Sequence, residues 1–132
     1  MPMLTVFALW VAALLFGGMG LFSFGFAAFL LATLPSDVAR ASIRRAFPHF
    51  YLFVMVVAVI AALLMWPLDH VSALWMAAIA LTVIPARQVL MPAINRATDA
   101  NQRSRFKKLH GLSVIIGLVH IGINAYVLAR FV

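Results

Sequence analysis

The sequence predicts an all-α integral membrane protein, a four-helix up-down-up-down antiparallel bundle forming one membrane domain over residues 1–132. Three observations lead there. First, 66% of the residues are hydrophobic and 10% are charged, against about 45–50% and about 25% in a water-soluble domain. A short chain leaves much of its surface exposed, so the excess apolar content faces outward and lipid is the solvent. Second, residues 1–36, 46–68, 70–86 and 109–129 contain no Asp, Glu, Lys or Arg, and roughly 20 apolar residues suffice to cross a hydrocarbon core. Third, the basic residues gather in alternate connections.

Span 1, near 4–34, exceeds one crossing. Two helices there would each be too short, so a single long, tilted or protruding helix is expected. A cleaved signal peptide is not expected, because the basic n-region is missing and the apolar run is too long. Pro35 closes this span. Span 2, near 49–67, ends at Pro67. Span 3, near 71–92, passes Arg87, which can snorkel to the interface. Pro85 and Pro92 predict a kink or an early end there. Span 4 covers 110–131. No internal repeat, low-complexity tract or soluble domain is expected.

Orientation follows from Lys and Arg. Arg40, Arg44 and Arg45 follow span 1. Arg96, Arg103, Arg105, Lys107 and Lys108 lie between spans 3 and 4. The turn between spans 2 and 3 holds only Asp69 and His70. The positive-inside bias therefore places both basic connections in the cytoplasm and both termini outside. Trp10, Trp66, Trp75 and Tyr126 fall at the opposite ends of their spans, where an outer aromatic belt belongs. The net charge of +7 then reads as attraction to anionic headgroups on the cytoplasmic side, not to nucleic acid. The sequence contains no cysteine, which removes disulfides, thiolate metal sites and cysteine nucleophiles.

Span 4 carries the clearest site pattern. His110, Ser113, Gly117, His120 and Asn124 share one helical stripe, and polar groups turned toward hydrocarbon are costly. The stripe therefore faces protein. Ser113, Gly117 and, on span 1, Gly20 read as helix-packing positions. His120 lies at mid-membrane, level with Gly17, Gly18 and Met19 on span 1 and Thr82 on span 3. A neutral His120 bonded to Thr82 or Asn124 is structural. A cofactor site of His120, Asn124, Thr82, Gly17, Gly18 and Met19 would instead take haem b or a quinone. Bis-His haem ligation needs a second histidine at this depth, and none is present, so Met19 or an open position would have to serve.

A second polar group gathers at the cytoplasmic interface: His49, Arg87, Gln88, Asn95, Asp99 and His110. It could bind a phosphate-bearing headgroup or a metal. A helix-end network is the reading favoured here, because charges at span ends are inexpensive. No phosphate loop, zinc-protease motif, paired carboxylates or Ser-His-Asp set occurs. The three acidic residues lie outside the spans, which argues against an ion pump.

Phe24-Gly25-Phe26 with Phe29 and Leu34-Pro35, then Phe47-Pro48-His49-Phe50-Tyr51, then Pro92 with Asn95 and Asp99, then Phe106-x-x-Leu109-His110-Gly111-Leu112-Ser113 resemble the bacterial domain-of-unknown-function family 4149. Transmembrane protein 205 is its eukaryotic relative. The resemblance covers nearly the whole chain and implies four membrane helices in a bacterial inner membrane. More distantly, the architecture looks like copper-resistance protein D and a haem-associated membrane protoporphyrinogen oxidase, with no functional residue matched one by one. The expected function is a non-catalytic packing or accessory module, as a homo-oligomer or within a larger membrane complex. The alternatives are a haem b- or quinone-binding redox protein centred on His120, and an oligomeric conduit for a small solute or metal.

Overall fold

A computed structural model describes residues 2–132. Four helices carry the chain: α1 (Met3–Thr33), α2 (Ser36–Met65), α3 (His70–Asp99) and α4 (Arg103–Arg130), each long and apolar enough to cross a membrane. There is no strand among the described residues. At 1.5 Å per residue a helix of about 30 residues reaches about 45 Å, beyond a hydrocarbon core of about 30 Å. The helices therefore extend past the apolar segments that define the spans.

α1 is a single helix that stays continuous through its glycines. Its regular winding widens to a π-helical turn at Leu21–Phe26. It stops where Leu34 adopts extended backbone, φ −115° and ψ 155°, because a residue before proline is pushed out of the α region. Pro35 caps the start of α2.

The largest differences from the sequence expectation lie at the basic ends. Arg40, Arg44 and Arg45 were expected in a connection, yet all are helical within α2. Alanine and arginine are good helix formers, and water satisfies a helix outside hydrocarbon as readily as it does a loop. Pro48 is accommodated inside α2. Likewise α3 does not end at Pro85 or Pro92 but runs to Asp99. It adjusts through a π-helical turn at Ala86–Leu90, where the Met91 N–H donates to the Ala86 carbonyl five residues back. Pro92 has no N–H to offer the Gln88 carbonyl, and the widened turn beside it absorbs that mismatch. The connection between α3 and α4 shrinks to residues 100–102. Asn101 makes this reversal with a left-handed φ of 54°, a conformation asparagine tolerates better than most residues.

α1 packs on α2 and α4, α2 chiefly on α3, and α3 also on α4. The interior is built from alanines such as Ala8, Ala12, Ala58, Ala61 and Ala73, interleaved with Leu15, Met65, Met76 and Ile79. Small side chains let membrane helices approach closely. Large apolar side chains such as Leu21, Leu63, Leu81 and Ile115 point outward, as a lipid-facing surface requires.

Candidate functional site

α4 buries only three residues fully, and two of them are polar: His120 and Asn124, with Val127. The stripe spacing brings them to the inner face. His120 Nε2 lies 2.7 Å from Thr82 Oγ1. The same hydroxyl is 2.7 Å from the Ala78 carbonyl of its own helix. A hydroxyl has one hydrogen. That hydrogen can serve the Ala78 carbonyl or the imidazole but not both; where the carbonyl takes it, Nε2–H donates to Thr82. Asn124, one turn further along, is wholly buried, and neither its amide nitrogen nor its oxygen has a hydrogen-bond partner in the protein.

The other residues of the candidate cofactor site are dispersed. Met19 is buried in the core. A Cβ on Gly18 would stand 2.6 Å from Phe53 Cε1, so an aromatic ring from α2 fills that gap. Gly17 is exposed, and nothing lies within 4 Å of its Cβ position. The same open space surrounds Gly20 and Gly117, so no other helix of this chain approaches them closely. Ser113 is half-buried and lies 3.2 Å from the Tyr51 hydroxyl of α2.

The residues of the second polar group, at the basic end, divide among separate partners. Asp99 takes a two-pronged bond from Arg44, at 2.7 and 3.0 Å. Arg87 Nε donates instead to the Pro48 carbonyl at 3.1 Å, and its Nη1 to Gln88. His110 is stacked on Phe106 with centroids 5.4 Å apart, and His49 is exposed. Among the described residues no three His, Cys, Asp or Glu side chains come close enough to hold a metal.

Two groupings were not anticipated from the sequence. At the opposite end of the molecule Asp69 caps α3 through the Val71 N–H, accepts from the buried Ser72 hydroxyl, and receives both Nε and Nη2 of Arg130 at 2.9 and 3.2 Å. Tyr126 accepts from Arg130 Nη1. These donors, Arg130 foremost, hold the Asp69 carboxyl well below the usual carboxylate range. Asp69 immediately before an apolar run was a readable capping signal; its ion pair with a residue 61 positions away was not. The second grouping is aromatic: Phe22 stacks on Phe50 at 4.0 Å and meets Phe47 edge-on at 5.2 Å.

Four apolar helices with inward-turned polar groups define a multi-pass membrane protein. Within that class, residues 10–103 match the family model described as Domain of unknown function (DUF4149), and the chain belongs to that family. Neither a search of curated proteins nor one of solved structures finds a match.

Proposed function

We propose that this is a bacterial inner-membrane protein with both termini outside, alternating helix direction, and a non-catalytic role as a packing or accessory module of a membrane assembly. The observation that carries this reading is the disposition of its polar and small residues. His120, Tyr51, Ser113, Arg44, Asp99, Asp69 and Arg130 are each engaged in a bond between helices, which suits a scaffold. Meanwhile Gly17, Gly20, Gly117 and Gly122 have open space at their Cβ positions, on surfaces another helix can approach closely. Native mass spectrometry of protein taken from its own membranes in mild detergent tests this. A homo-oligomer or a complex with other membrane chains is expected. A lone monomer with no partner contradicts the proposal.

A redox reading centred on His120 draws support from one feature, the unpartnered Asn124 amide one turn away. A quinone carbonyl could accept from that amide nitrogen. Haem ligation through Nε2 would have to displace the Thr82 bond. An optical spectrum of the purified protein with no Soret band, together with an organic extract free of quinone, removes this reading.

A further inference from the structure

A trough of about 510 Å³ runs between the π-helical turn of α1 and the first membrane turns of α2, at the molecule's basic end. Phe22, Phe26, Phe50 and Leu21 form its walls, and Phe53 seated over Gly18 closes one end. The aromatic walls are held before anything enters. Phe22 is stacked between Phe26 at 5.2 Å and Phe50 at 4.0 Å, and the widened turn at Leu21–Phe26 belongs to the same wall. A guest there therefore meets little ordering cost.

The rim differs from the walls. His49 stands on it, exposed, and Arg45 is exposed one helical turn earlier, so the two are neighbours at i and i+4. The ion pairs among the described residues are Arg44–Asp99 and Arg130–Asp69, which leaves Arg45 without a carboxylate. A preformed apolar trough below an uncompensated guanidinium and an imidazole is complementary to a molecule with a long hydrocarbon tail and an anionic head.

We infer that the trough between α1 and α2 is a binding site for one anionic phospholipid, an acyl chain lying along the Phe22–Phe50 wall and the phosphate meeting Arg45 and His49. This stands apart from the module reading, because it concerns a lipid on one protomer and not a protein partner. Native mass spectrometry of the full chain in detergent, titrated separately with dioleoyl phosphatidylglycerol and dioleoyl phosphatidylcholine, provides the test. One phosphatidylglycerol should be retained in preference to phosphatidylcholine. The surface double variant R45Q/H49Q should weaken that retention about tenfold, as loss of a headgroup contact and about one charge predicts. Ala46→Trp, which fills the trough, should abolish it, whereas R103Q/R105Q on the other basic segment, which does not line the trough, should leave it unchanged. Equal retention of both lipids, insensitivity to R45Q/H49Q, or retention of an isoprenoid quinone in place of phospholipid would overturn the inference. R45Q/H49Q alters only exposed side chains, so the headgroup arm reads out even where Ala46→Trp fails to fold.

Discussion

His120 and Asn124 lie one turn apart on the same stripe of α4, yet the surrounding residues satisfy only one of them. The His120–Thr82 bond closes a circuit between α4 and α3. Thr82→Val, which keeps the shape and removes the hydroxyl, should lower stability by about 0.6 to 1.7 kcal/mol, measured by denaturant titration in bicelles. Asn124 should behave in the opposite way. An unpaired buried amide costs about 1–3 kcal/mol, so the near-isosteric Asn124→Leu should raise the unfolding midpoint; a fall instead would show that the amide has a bonding partner. Asp69 carries a pH signature. Its folded carboxyl is held below the unfolded value of about 3.9, so its contribution is complete above roughly pH 4 and disappears as pH falls below that value. Asp69→Asn should flatten the acid limb of the thermal midpoint between about pH 4 and pH 2, and an unchanged limb would show that the Arg130 pair is not responsible. The stripe was legible because 3–4 spacing marks one helix face. The partner of each polar residue was not. Tyr51 and Ser113 are 62 positions apart, and no local pattern encodes which helices meet.

At the scale of the element, the existence of four helices was written in charge-free segments of membrane length, while their ends were not. Hydropathy reports where hydrocarbon stops. A helix such as α2 can continue into water through Arg45, Arg44 and Arg40 because its backbone bonds are intact there. The early end allowed for at Pro85 and Pro92 does not occur, since α3 runs on to Asp99. Pro92 leaves the Gln88 carbonyl without its helical donor, and the π-helical turn beside it absorbs the disturbance, while Pro48 lies inside α2 without ending it. α1 owes its fit against α2 to Gly18, where any Cβ would collide with Phe53. Gly18→Ala should therefore cost about 1–3 kcal/mol, the usual range for overpacking. Combined with Phe53→Leu the two changes should be clearly less destructive than their sum. Strict additivity in that double-mutant cycle would mean that ring and glycine do not meet.

For the whole molecule, burial is sparse and the outward faces are apolar on every helix, an arrangement stable only when hydrocarbon, or other membrane helices, surround it. Both sets of basic residues sit where α1 gives way to α2 and where α3 gives way to α4, whereas Asp69 and Arg130 pair at the other end. Membrane crossing with alternating direction is the claim on which the proposals rest. The chain contains no cysteine, so single cysteines can be introduced at His70, Ser104 and Leu118 and challenged with a membrane-impermeant maleimide in intact cells and again after permeabilisation. The account predicts that the site at 70 labels in intact cells, the site at 104 only after permeabilisation, and the site at 118 in neither state. Equal labelling of all three in intact cells, or of none until the cells are opened and then all alike, would contradict it.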